Sequence, residues 1–186
     1  MSAETTLEVG QKAPAFALKD QHGVTHKLSQ YKGSPLVVYF YPKDDTTACT
    51  KEACAFRDAL SDFGALGVAV VGISPDDVES HARFASKQKL SFPILSDTPD
   101  ENGTPPVSAA YGTWQEKSMY GRKYMGVVRT TFLIDGTGKI IHKWDKVSVA
   151  GHVEEVLGVL RAEPAPRASP RATTKGDRPQ GRGARR

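Results

Sequence analysis

Two uninterrupted apolar runs, PLVVYFY at 35–41 and GVAVVGI at 67–73, constrain the fold of this chain more than any other feature. A strand with one wet face alternates polar and apolar residues. A run that is apolar at every position instead belongs to a strand covered on both faces, as strands lying between helical layers are. Between the two runs, Cys49, Ala53, Phe56, Leu60 and Phe63 recur at helical spacing, which predicts one helix over 48–63 with Gly64 as its stop. After the second run, SPDDVESHARFASKQK reads as another helix. Ser74 is its expected N-cap, Pro75 fits the first helical position, and Asp76 and Asp77 suit the positive end of the helix dipole.

The rest of the body completes a layered α/β pattern. FALKD and VTHKL flank the turn QHG as an N-terminal hairpin, and FPIL at 92–95 reads as a strand. RTTFLID (129–135), GTGK and IIHKWD (140–145) read as a second hairpin, and a helix over about 150–161 closes the fold. This order predicts a thioredoxin-like fold, a central mixed β-sheet flanked by helices with an N-terminal hairpin extension, filling one domain over 1–161. KSMYGRKYMG (117–126) is expected to be a solvated loop, and NGTPP (102–106) an inserted one. Tyr111 and Trp114 are expected to pack. His22, His26, His81, His142 and His152 show no ligand or acid–base spacing and are expected at the surface.

The net charge of +4 is unevenly placed. From Arg161 onward eight basic residues face two acidic ones, so the body sits near −2 and the excess lies in the tail. Residues 162–186 carry four prolines and three glycines with little that is apolar, a composition expected to stay disordered. Such a tail offers weak, salt-sensitive attraction to nucleic acid, with a solubilising extension as the plainer reading. MSAETTLEVGQKAP lacks the charged start and apolar middle of a secretory signal, and no run approaches the roughly 18 apolar residues of a membrane span. A cytoplasmic location away from membranes is the expectation. In that reducing compartment a cysteine pair points to catalysis, redox chemistry or metal binding rather than to a structural staple.

Both cysteines of the chain fall in YPKDDTTACTKEAC, at 49 and 54. Cys49 lies in the first helical turn, where free backbone N–H groups and the dipole favour thiolate over thiol; its bland alternative is a small core residue. Five residues along a helix turn through about 500°, so Cys54 points roughly 140° away from Cys49, toward Arg57, Asp58 and Ser61. Ideal geometry sets their Cα atoms about 8.6 Å apart, beyond the roughly 7 Å a disulfide tolerates. The thiols can join only if the helix start unwinds. Cysteines on opposite helix faces also make a poor metal half-site, and no C-x-x-C or close histidine pair completes it. The missing C-x-x-C equally disfavours a general disulfide oxidoreductase.

YPKDDTTACTKEACAFRD resembles the active-site signature of the peroxiredoxins, P-x-x-x-T-x-x-C, at Pro42, Thr46 and Cys49. With a second cysteine five residues on, and with VVGISPDD, KSMYGRKYMGV and RTTFLIDGTGKI, it is similar to the peroxiredoxin Q, or bacterioferritin comigratory protein, branch over most of 7–160. The resemblance implies a peroxidatic Cys49 and a resolving Cys54. Thr46 would then hydrogen-bond the thiolate and a peroxide oxygen, Arg129 would supply the cation beside the sulfur, and Pro42 would shield the pocket. Taken alone, Thr46 reads as a helix cap, Arg129 as a solvated residue and Pro42 as the end of a strand. The resemblance further implies reduction of hydrogen peroxide and organic hydroperoxides, an intramolecular Cys49–Cys54 disulfide, thioredoxin or glutaredoxin as reductant, a monomer, and no flavin, haem or metal cofactor. The rival readings are a thiol sensor that relays oxidation to a partner and a polyanion-binding protein acting through its tail.

Overall fold

A computed structural model describes residues 7–162. The expectations for the basic tail, apart from its first residue, concern residues outside that range. Among the described residues no helix is long and apolar enough to cross a membrane.

The chain begins with the expected hairpin, β1 (Ala17–Lys19) and β2 (Thr25–Lys27), followed by a 3-10 turn over Leu28–Tyr31. Then come β3 (Leu36–Phe40), α1 (Thr47–Asp58), α2 (Leu60–Ala65), β4 (Ala69–Ser74), α3 (Val78–Gln88) and β5 (Ile94–Ser96). A short α4 (Pro106–Ala110) precedes a hairpin of β6 (Trp114–Met119) and β7 (Arg122–Val127). β8 (Thr130–Ile134), β9 (Ile140–Trp144) and α5 (His152–Ala162) finish the domain.

Seven strands form one sheet in the order β2-β1-β5-β4-β3-β8-β9, with β3, β4 and β5 parallel and the outer pairs antiparallel. The two apolar runs are neighbours at its centre, in register Leu36–Ala69 through Phe40–Ile73. Alternate residues of β3 feed two cores, Val37 and Tyr39 on one face and Leu36, Val38 and Phe40 on the other. That division explains why the run carries no polar residue. Right-handed crossovers stepping the same way, β3 to β4 to β5, carry both connecting helices to one face. α1, α2, α3 and α5 therefore share the first core through Phe56, Phe63, Phe84 and Val156. The other face is closed by α4, the β6–β7 hairpin and the N-terminal segment, through Val107, Trp114, Val127 and Phe16, with Tyr111 buried beside them.

Tyr39 seats α1 on the sheet. Its ring stacks on Phe56 at 4.5 Å between centroids and lies so close to Gly72 that a Cβ there would come within 2.8 Å of the ring. Only glycine leaves that space, and full burial of an aromatic side chain such as Phe56 stabilises by about 1.5–3 kcal/mol.

Local details differ from the sequence reading. The single helix expected over 48–63 is two, interrupted at Ala59, and the second runs past Gly64 to Ala65, with Gly67 (φ +70°) making the turn into β4. Ser74 is not the cap of α3 but the last residue of β4; Asp77 caps the helix by accepting from the Ser80 N–H at 2.8 Å. Asp76 instead turns back, accepting from Ser74 Oγ at 2.7 Å and from the Asp44 N–H at 2.8 Å. The 117–126 segment is not a loop but most of the β6–β7 hairpin, turning at Tyr120 and Gly121, both with positive φ as a type I′ turn needs. The histidines also depart from a uniform surface placement: His81 and His152 are buried, and His142 stacks on Trp144 at 4.1 Å.

Candidate active site

The carboxyl end of β3 opens into the loop 42–46, and α1 begins directly after it, an arrangement that puts helix N–H groups beside strand ends. Thr46 holds the N-cap position of α1 with an extended backbone, yet its side chain caps nothing: its hydroxyl donates to the Lys43 carbonyl at 3.0 Å. Pro42 is half-buried just beyond β3. Asp45 is held at φ +59°, a left-handed conformation unusual for a residue with a side chain.

Cys49, third residue of α1, is buried in the first core at 1% exposure. Arg129, in the two-residue link between β7 and β8, reaches across and donates from Nη2 to the Cys49 sulfur at 3.2 Å. Its Nη1 donates to Glu52 Oε1 at 2.9 Å, so one guanidinium bridges thiol and carboxylate. Burial pulls the Arg129 guanidinium down, but Glu52 and Cys49 more than offset it and hold it above the ordinary arginine value. Burial pushes the Glu52 carboxyl up to about 7, against the opposing pull of Arg129. The second Glu52 oxygen is buried without a partner among the described residues. The sulfur therefore has a fixed cation on one side and a carboxyl able to exchange a proton near neutrality one helical turn away.

The sequence reading missed Glu52. Its signal was available: a carboxyl at i+3 from Cys49, on the stripe that carries Ala53 and Phe56 into the core, is a buried charge in need of a partner.

Cys54 is half-buried and remote from this cluster, donating to Gln88 Oε1 on α3 at 3.5 Å. Both cysteines are free thiols. Of the residues singled out in the sequence, Arg129 and Cys49 are in contact, Thr46 directs its hydroxyl to its own loop, and Cys54 faces a different helix. Beside the loop, Asp44 accepts from Tyr41 Oη at 2.6 Å and Ser80 Oγ at 2.8 Å and pairs with His81 Nδ1 at 2.7 Å.

Residues 9–143 match the model of the AhpC/TSA family. The chain belongs to that family. It is a peroxiredoxin of the Q, or bacterioferritin comigratory protein, branch, and hence a thiol-dependent peroxidase. Peroxiredoxin Bcp of Bacillus subtilis is 47% identical over 156 residues, spanning 84% of this peroxiredoxin and 96% of that one. Among solved structures, the bacterioferritin comigratory protein of Xanthomonas campestris, described as having alkyl peroxide reduction activity, superposes with a TM-score of 0.75 at 36% identity, covering 83% and 98% of the two chains. A PrxQ variant from Xylella fastidiosa gives 0.77 at 34% identity, covering 85% and 98%. The mixed sheet flanked by helices is accordingly the thioredoxin-like fold of these peroxiredoxins.

Proposed function

We propose that this peroxiredoxin reduces hydroperoxides with Cys49 as the peroxidatic thiol and Cys54 as the resolving thiol. A protein dithiol, thioredoxin or else glutaredoxin, reopens the disulfide, and the chain works as a cytoplasmic monomer. The observation that carries this reading is the 3.2 Å contact from Arg129 Nη2 to the buried Cys49 sulfur.

The chemistry follows from that contact. As thiolate, the Cys49 sulfur attacks the near peroxide oxygen; the O–O bond breaks and the departing oxygen takes a proton and leaves as water or an alcohol. Negative charge passes from sulfur to that oxygen, and a donor already fixed beside both stabilises the passage without rearranging. Glu52 holds the guanidinium in place from its far side. Cys54 then condenses with the sulfenic acid, forming the S–S bond as water leaves. Because five helical residues separate the thiols too widely for a bond, α1 unwinds first. Its start is suited to that: a side-chain N-cap contributes about 1 kcal/mol where present, and Thr46 makes no such bond.

One equivalent of hydrogen peroxide followed by peptide mapping tests the assignment. A Cys49–Cys54 crosslink is expected, and Cys49→Ser is expected to consume no peroxide; steady consumption by that variant would remove Cys49 from the role. Turnover with thioredoxin against glutaredoxin then selects the reductant.

A further inference from the structure

One face of α3 grips the reactive segment at two points. Ser80, His81, Phe84, Lys87 and Gln88 follow the spacing of a single helical stripe. At its start, Ser80 and His81 hold Asp44, and in its last turn Lys87 Nζ meets Asp45 at the surface at 2.9 Å. At its end, Gln88 meets α1: Cys54 Sγ donates to its side-chain oxygen at 3.5 Å, and Arg57 Nη1 donates to its backbone carbonyl at 2.6 Å. Lys89, at φ +53°, terminates α3 there, so that carbonyl is one the helix cannot satisfy internally, and a cation suits the negative helix end.

The two grips differ in strength. His81 Nε2 lies 2.9 Å from the Leu95 carbonyl, which only accepts, so Nε2 carries a hydrogen and one further proton is shared between Nδ1 and Asp44. His81 and Asp44 are 0% and 3% exposed, and separating such a pair leaves polar groups stranded in the core. Opposite, a thiol is a weak donor, and Arg57 is about a third exposed with its Nε turned to the surface residue Asp58 at 2.9 Å. The loop before Cys49 is pinned; the contact at Cys54 can release.

We propose that Gln88 and Arg57 are positioning residues for the resolving step, holding Cys54 against the end of α3 while Cys49 meets peroxide, so that their release sets how fast the sulfenic acid becomes a disulfide. This rests on the assignment of the two thiols above. In the governed step Cys54–SH and Cys49–SOH form the S–S bond, the S–OH bond breaks, and water departs with the thiol proton; no outside oxidant enters. A tighter hold would lengthen the life of the sulfenic acid and expose it to a second peroxide, which carries it to sulfinic acid.

Rapid-quench of the full chain with stoichiometric hydrogen peroxide, counting free thiols and trapping sulfenic acid with a cyclic diketone, separates the two steps. Gln88→Met keeps the bulk and removes the acceptor, and Arg57→Met removes the charge-assisted bond. Disulfide formation is expected to quicken about threefold and about tenfold respectively, from the typical worth of neutral and charged hydrogen bonds. The second-order peroxide step is expected to stay unchanged, and sulfinic acid in excess peroxide to fall in step. Gln88→Glu, a stronger acceptor for the Cys54 thiol, is expected to slow resolution. Unchanged resolution in both methionine variants, or a peroxide step that falls in them, overturns the latch alone. Absence of sulfenic acid at Cys49 in the unaltered chain overturns the thiol assignment and the latch with it.

Discussion

Cys49 and Cys54 share one helix, yet their surroundings are opposites. Cys49 is sealed in the core with a partly buried guanidinium at 3.2 Å, itself held by a buried carboxyl group. Cys54 is half-exposed, and its thiol makes a weak bond to a glutamine side chain. A group that must meet a small reagent gains from surroundings fixed in advance, because donors already aimed at developing charge need no rearrangement. A group that must travel to its partner gains from contacts that break easily. On the proposed roles of the two thiols, the same twelve-residue helix serves both needs because its two faces pack against different neighbours.

The largest effect expected from breaking this contrast comes from Arg129→Met. Loss of one fixed donor at a site of developing charge lowers rates by about 10²–10³-fold, and stopped-flow measurement of peroxide consumption is expected to show a fall of that order. The later conversion of sulfenic acid to disulfide, which Arg129 does not govern, is expected to keep its rate.

A smaller effect distinguishes the two ends through pH. Glu52 binds its proton more tightly in the folded chain, at about 7 against an ordinary 4.5. Its contribution to stability is therefore full below 4.5 and is lost as pH rises to about 7, a change of up to about 3 kcal/mol. His152 runs the other way: burial lowers it to about 4 from 6.5, so its contribution is present above 6.5 and is lost as pH falls toward 4. Glu52→Gln removes the first trend and leaves the second. Urea unfolding from pH 4.5 to 7.5 is expected to show the variant gaining on the parent steadily as pH rises. A constant difference between them would place the Glu52 proton elsewhere.

The smallest effect on the peroxide step is expected from Cys54→Ser. The first encounter with peroxide should proceed at the parental rate, sulfenic acid should persist in mass spectra, and turnover with a dithiol protein should stop. A slowed first encounter would mean that the two ends of α1 are not independent.

Much of this was legible in the residues themselves. Apolar runs gave β3 and β4, the hairpins around QHG and GTGK declared their turns, and the stripe Cys49–Ala53–Phe56 oriented α1. What stayed hidden depended on partners distant in sequence. Nothing near Arg129 announces a thiol 80 residues earlier, and only the family resemblance put the two together. Asp44 and His81 look like surface residues until α3 folds over the loop 42–46 and buries both. The β6–β7 hairpin escaped detection because most of it is wet on both faces, with Met119, Tyr120, Tyr124 and Met125 exposed, so it shows no alternation. Ser74 and Asp77 both suit a helix start; β4 extends through Ser74, paired with Ser96, and α3 begins only at Val78, which leaves Asp77 next to its first turn.

The interruption at Ala59 has a further effect. It divides α1, the segment proposed to rearrange, from α2, whose Phe63 is fully buried in the main core. Thermal robustness and catalytic speed can therefore be tuned apart: substitutions that tighten the packing around Phe63 and α5 would raise the melting point while leaving the enzyme as quick as before.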